Sequence, residues 1–355
     1  MSKRELGAIV AALLVAAGAM FAGQGVRDAA ACGGFFPASI RQERKPSLAY
    51  EQVLIVHDPE SRTEHFVREV AFRGGDQAFG FVVPTPSRPD VGHLAKSPFN
   101  ALRESFGFAP PPQASNSFGS GASGNDTGAG VTVLEEKKVG SFTAFVLAAD
   151  DAAGLSKWLT DNKFVSTSRT DAWLEHYVQM KFFYVAMRYD PPKADKDKKD
   201  KTDKSVRAET IRISFKSPVP YYPYFEPLPE ENAPAPEARL LELWVVSPRG
   251  QLLPVAALTD ENASTRWVRP MRAGVAHTTA QDGLRAIFDD ELDKLLPSGE
   301  LTVSTFQDQK RRRVGYGDML FLPAKRTELS KEDKALLAPL LGVLDPSLVP
   351  AKEAR

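Results

Sequence analysis

Three sheet-forming runs between residues 50 and 86 constrain this chain more than any other feature. "YEQVLIVHD" (50–58) is rich in β-branched and aromatic residues. It ends at Asp58-Pro59-Glu60-Ser61, where proline suits the second position of a type I turn. "TEHFVREVAF" (63–72) alternates: Phe66, Arg68, Val70 and Phe72 share one face, His65 and Glu69 the other. That period of two marks a half-buried strand. After Gly74-Gly75-Asp76, "AFGFVVPTP" (78–86) forms a third run, closed by Pro84 and Pro86. The simplest assembly is a three-stranded antiparallel meander, followed by a short helix from Ser97 through Phe106 with Pro98 in its first turn.

Periodicity also organises the rest. "VTVLEEKKVGSFTAFVLAAD" predicts two strands meeting near Gly140. Asp150 or Asp151 caps a helix through about Asn162, with Leu155, Trp158 and Leu159 on one face. A second helix runs from about Thr170 to Met180, with Ser168 and Asp171 as its capping box and Trp173, Leu174, Tyr177 and Val178 toward the core. "KFFYVAMRYD" returns as a strand. Further strands are expected near Glu209–Lys216 and Leu240–Ser247. An amphipathic helix over "GLRAIFDDELDKLL" buries Leu284, Ile287, Phe288, Leu292, Leu295 and Leu296. Residues 301–306 and 318–323 read as a terminal hairpin, and Lys310 to Arg313 as a solvated turn between strands. The fold class is therefore α+β: antiparallel β-sheets, a central strand-helix-helix-strand unit, and a C-terminal amphipathic helix plus hairpin.

The expected organisation is a signal peptide (1–31), an N-terminal β-meander region (32–108) and a flexible Pro/Gly/Ser linker (109–130). The strand-helix-helix-strand unit (131–190) and a charged disordered loop (191–206) follow. A C-terminal β-rich region with a helix (207–325) and a short helix and tail (326–355) complete it. The linker "APPPQASNSFGSGASGNDTGAG" and the loop core "PPKADKDKKDKTDK" hold too little apolar surface to offset the entropy of ordering them.

The leader rests on Lys3 and Arg4, an apolar or small run from Ala8 to Gly23, and Ala29-Ala30-Ala31 before the cleavage region. The run is 16 residues long, below the ~20 needed to cross a bilayer as a helix. An exported protein is expected, periplasmic or extracellular, with no transmembrane span after cleavage. An uncleaved anchor is the alternative. Cys32, the only cysteine, follows at once. It reads first as a thiol at a processed end. Lipid anchoring at Cys32 is the alternative, against which Ala29 stands where a lipobox has leucine. One cysteine makes no disulfide within a chain, so stability must come from packing, and pairing with another chain stays open. Without residues 1–31 the chain carries 42 basic and 43 acidic residues, a net charge of −1. That gives no field argument for nucleic acid as a partner.

The five histidines, His57, His65, His93, His176 and His277, show no close metal-ligand spacing. His57 and His65 flank the first turn, where a hairpin could bring them together with Asp58 or Glu64, but two imidazoles make a weak site without a third ligand. "GSGASG" (119–124) is the nearest match to a nucleophile elbow, and it falls in the linker. Tyr221, Tyr222, Tyr224 and Phe225 form an aromatic strip that either binds a sugar or peptide or folds back over the sheet. No catalytic, cofactor-binding or metal-ligating residue is assigned, and no cofactor is implied.

"ACGGFF" after the leader, the run from Tyr50 to Phe72, and "AFGFVVPTPSRPDVG" resemble an exported bacterial family, domain of unknown function 2330. So do "VLEEKKVGSFTAFVLAADDAAGLSKWLTDNKF", "YVQMKFFYVAMRY", "PYYPYFEP" and "LELWVVSPRG". The similarity covers roughly residues 31 to 250, with an extension to 325 left open. It implies export and one extended α+β unit, with no activity, cofactor or site. Pro37 stands where members often have a further cysteine, so no family disulfide carries over there. The C-terminal membrane helix of some members is not seen. The expected role is a non-catalytic periplasmic or cell-envelope binding protein whose partner is an unidentified protein or envelope ligand. The alternative is an exported hydrolase-type enzyme whose site assembles from distant residues.

Overall fold

The computed structural model describes residues 34–37, 47–73, 78–107, 131–140, 142–189, 206–227, 239–259, 265–274, 276–310, 313 and 315–324. The leader with Cys32, the linker 109–130, the charged loop up to residue 205 and the tail 326–355 lie outside the described residues. Val206, placed in that loop by its composition, instead opens a two-residue strand.

The first sheet joins β1 (Gly34–Pro37), β4 (Phe79–Thr85), β8 (Phe183–Tyr189), β7 (Phe142–Ala149) and β6 (Val131–Val139), in that order and antiparallel throughout. Between β7 and β8 come two helices, α2 (Ala152–Asp161) and α3 (Ser168–Gln179). Asp151 caps α2 by accepting from the Gly154 amide at 2.6 Å. Thr167 caps α3 in a reciprocal box with Thr170, one residue ahead of the expected Ser168. The helices cover one face of the sheet, with Trp158 edge-on to Phe145 at 5.1 Å. The Phe164 ring lies on Gly80, where a Cβ would meet it at 2.0 Å.

The second sheet is central. Its strand order is β15 (Arg272–Ala273), β17 (Glu300–Asp308), β12 (Leu240–Ser247), β2 (Ser47–Asp58), β3 (Thr63–Arg73), β10 (Ile211–Lys216) and β5 (Asp90–His93). β16 (His277–Ala280) also pairs with β17, and β9 (Val206–Arg207) with β3. β2 and β3 make the expected hairpin, its turn held by the Glu60 amide donating to Asp58 at 2.9 Å. β12 lies parallel to β2. Both faces of the sheet are buried at its middle, which is why "VLIV" and "LWVV" are continuous apolar runs.

Val53, Ile55, Phe66, Phe72, Leu243 and Phe306 point inward to the larger core. Leu54, Val56, Val67, Trp244, Val246 and Val303 point outward, beneath α1 (Phe99–Phe106), α4 (Gln281–Arg285) and α5 (Asp290–Asp293). The third sheet, β11 (Tyr221–Tyr222), β18 (Tyr316–Pro323), β13 (Leu252–Thr259) and β14 (Thr265–Val268), packs on the inner face through Phe321 on Phe306 at 5.2 Å. The protein is α+β.

Four expectations need correction. β4 does not complete a meander: β10 and β9 take the free edge of β3, and β4 crosses to the first sheet. The C-terminal amphipathic helix is two short helices, because the Asp289 side chain accepts from the Leu292 amide and starts a new one. Leu284, Phe288, Leu292 and Leu296 still reach the outer core. The terminal strands β17 and β18 pair in different sheets and not with each other. Arg313 is not solvated: it is 1% exposed, with its Nε 2.9 Å from Asp308 and its guanidinium 4.6 Å from the centre of the Tyr224 ring. No helix among the described residues is long and apolar enough to cross a membrane.

Candidate functional site

The helices on the outer face of the central sheet leave its β10–β5 margin uncovered by the outer core. The sequence of β10, Ile-Arg-Ile-Ser-Phe-Lys, alternates accordingly. Ile211, Ile213 and Phe215 are buried, while Arg212 and Ser214 are half-buried and Lys216 is exposed. Register places Ser214 between His65 of β3 and Asp90 of β5, and Arg212 between Val67 and Gly92. Gly92 gives the guanidinium room: a Cβ there would stand 3.0 Å from Arg212 Nη2.

Arg212 Nη1 donates to Ser214 Oγ at 2.5 Å, and its Nη2 donates to Asp90 Oδ2 at 2.9 Å. Ser214 Oγ lies 2.8 Å from His65 Nδ1. Burial, and then the Arg212 charge, push the His65 pKa down to about 4, with Lys216 adding to the effect and Asp58 and Asp90 opposing it. Above that pH the imidazole is neutral. Ser214, already accepting from Arg212, has its own proton to give to Nδ1.

Beside these residues opens a cleft of about 390 Å³ lined by Thr63, Arg88, Asp90, Glu135, Ser214 and Lys216, with Pro89 and Phe215 as its apolar wall. It lies where two sheet margins meet, since Lys137 of β6 donates to the Val91 carbonyl of β5 at 2.8 Å. Lys216 Nζ is held by Thr63 Oγ1 at 2.7 Å and the Ser61 carbonyl at 2.9 Å. The Lys216 backbone is clamped by Ser87, whose hydroxyl accepts from its amide and donates to its carbonyl. The volume suits a small molecule, at the low end for a ligand pocket.

The residues singled out in the sequence scatter. His57 and His65 occupy opposite faces of the β2–β3 hairpin, one residue out of step in a period-two register, so no hairpin brings them together. His57 is fully buried and its Nε2 donates to the Ser217 carbonyl at 3.0 Å. Glu64 is equally buried and accepts from the Tyr221 amide at 2.7 Å; burial pushes its carboxyl well up. His93 and His176 are exposed, the latter edge-on to Phe225 at 5.1 Å, and His277 lies 5.3 Å from Phe106.

The aromatic strip folds back over the sheet. Tyr221, Tyr222 and Tyr224 are fully buried, and Asp318 accepts from Tyr177 Oη, Tyr221 Oη and the Phe225 amide at 2.7–3.0 Å. Cys32 and "GSGASG" lie outside the described residues. Among the described residues no three His, Cys, Asp or Glu side chains are placed to hold a metal. Sequence reasoning reached His65 but missed Ser214, Arg212, Arg88, Lys216 and Glu135. The alternation of β10 was the available signal for its three polar residues, although nothing local to it says that His65 lies alongside.

Fold and cleft together define the class: a three-sheet α+β protein with a small polar cleft at joined sheet margins. The family model described as an uncharacterized protein conserved in bacteria, domain of unknown function 2330, matches residues 26–225. That is more than half of the chain, and the chain belongs to this family. No curated protein and no solved structure matches it.

Proposed function

We propose that this is an exported, non-catalytic binding protein of the bacterial periplasm or cell envelope, and that the cleft beside Ser214 receives its ligand. Lys3 and Arg4, the apolar run and Ala29-Ala30-Ala31 support export. One observation carries the binding reading. His65, hydrogen-bonded to Ser214, has Arg212 beside it and a pKa of about 4. Arg212 and His65 thus fix the hydroxyl of Ser214, which lines the cleft, as a polar contact for a ligand.

A second reading, an exported hydrolase, draws on the same contact: residues far apart in sequence place a serine hydroxyl 2.8 Å from an imidazole. Its chemistry is poor here. A general base works best with a pKa near the working pH. An imidazolium formed at His65 would face the Arg212 guanidinium, and the same charge that lowers its pKa would oppose the proton transfer.

Two measurements test the proposal. Imidazole NMR of the purified protein should show His65 neutral down to about pH 4, and a fluorophosphonate probe should leave Ser214 unlabelled. A His65 titration near pH 7 with labelled Ser214 would replace the binding reading by the hydrolase. Intact-mass analysis of protein recovered from its host should show a chain beginning near Ala31 or Cys32. An intact leader would remove export.

A further inference from the structure

Two charged side chains lining the cleft stand apart from its network. Arg212 is matched by Asp90, and Lys216 by the Thr63–Ser61 turn. The side chains of Arg88, from the link between β4 and β5, and Glu135, on β6, make no ion pair or hydrogen bond with any described residue. Arg88 is exposed and Glu135 half-buried. They line one cleft of about 390 Å³ and yet do not bridge each other. The Ser214 and Thr63 hydroxyls and the apolar wall of Pro89 and Phe215 line the same cleft.

A guanidinium fork fits a carboxylate bidentately, and a carboxylate accepts from an ammonium. An anion alone would satisfy Arg88 but face Glu135 and Asp90; a cation alone would face Arg88 and Lys216. A molecule carrying both charges meets neither repulsion, so the pairing selects as well as attracts.

We infer that the cleft binds a small zwitterion of the α-amino acid or dipeptide class, its carboxylate on Arg88 and its ammonium on Glu135, with the backbone polar groups on Ser214 and Thr63. This rests on the binding reading above and names the ligand class for that cleft. It involves no covalent step.

Calorimetric titration of the full chain tests it with alanine, Ala-Ala, N-acetyl-Ala-Ala and Ala-Ala amide as probes, and acetate and phosphate as simple anions. The expected result is binding of alanine or Ala-Ala that weakens about tenfold or more when either terminus is capped, as loss of one charged hydrogen bond implies. Arg88→Gln and Glu135→Gln should weaken it by a similar factor. The two side chains meet no described partner, so both variants should melt like the parent, which keeps folding out of the readout. Ala-Ala affinity unchanged by capping or by both substitutions overturns the inference. So does silence from both zwitterions while acetate or phosphate binds, an outcome that leaves the cleft a binding site for anions. Serine labelling at Ser214 would instead strike the binding reading itself.

Discussion

At the residue scale, the charges buried at sheet interfaces determine where this protein is vulnerable. Arg68 and Glu51 are each about 1% exposed and pair at 2.7 Å on the inner face of the central sheet, with the guanidinium 4.7 Å from the centre of the Phe81 ring in the first sheet. Removing one partner leaves a buried charge uncompensated, which costs about 3–5 kcal/mol. Arg68→Ala should therefore lower the urea midpoint sharply, and the double variant Glu51→Leu/Arg68→Met should be less destabilised than Arg68→Ala. His65 adds a pH dependence. Its folded pKa of about 4 lies below the ordinary 6.5, so the unfolded chain takes up a proton first as pH falls. This contribution is present above pH 6.5 and is lost toward pH 4, a difference on the order of 2–3 kcal/mol. Glu64 has the opposite sign: its folded pKa is raised, so its share is full below the ordinary 4.5 and declines as pH rises. His65→Gln should flatten the fall in stability between pH 7 and 5, and Glu64→Gln should gain stability relative to the parent at pH 8. Urea titrations at the three pH values read both. The alternation at 63–72 placed Arg68 and His65 on their correct faces. It carried no sign that Glu51 would reach Arg68 diagonally across the strand pair, because that contact depends on register between strands.

Elements were legible where a local signal sufficed. The faces of α2 and α3 follow from 3.6-residue spacing, and Leu155, Trp158, Leu159, Trp173, Leu174 and Tyr177 are buried as that spacing requires. The α3 cap moved by one residue, from Ser168 to Thr167, because two threonines, 167 and 170, cap each other. The apolar positions of residues 283–296 were read correctly, but a continuous helix was not, since spacing alone does not reveal a cap inside it. β13 was not anticipated, as Pro254 interrupts its pattern. The proline is tolerated because β14 pairs only with residues 256–259, leaving that stretch of β13 without a partner on that side. Thr167→Ala and Asp289→Ala should each cost about 1 kcal/mol through a lost cap. Circular dichroism melts would show a smaller shift if either cap were idle. Gly80→Ala should cost more than either, because the added methyl enters the Phe164 ring rather than open space.

Over the whole molecule, the segment matched by the family model and the remainder build the same sheets. β12, outside the matched 26–225, lies hydrogen-bonded between β2 and β17 at the centre of the second sheet, and β11 pairs with β18 in the third. Arg313 joins Asp308 to Glu226, which also holds Arg239, so one buried ion cluster ties three separated stretches together. A fragment ending at residue 225 should fail to fold alone, giving no cooperative urea transition, and should regain one when mixed with residues 226–355. A fragment that folds by itself would separate the two halves. By itself the sequence determined the α+β class, the family, most strands and the apolar faces of two helices, because periodicity and capping act within a few residues. Only the tertiary structure decided which sheet each strand joins, that β2 and β12 run parallel, and that His65 meets Ser214 beside a cleft. Those choices depend on which distant surfaces bury one another, and no local period records them.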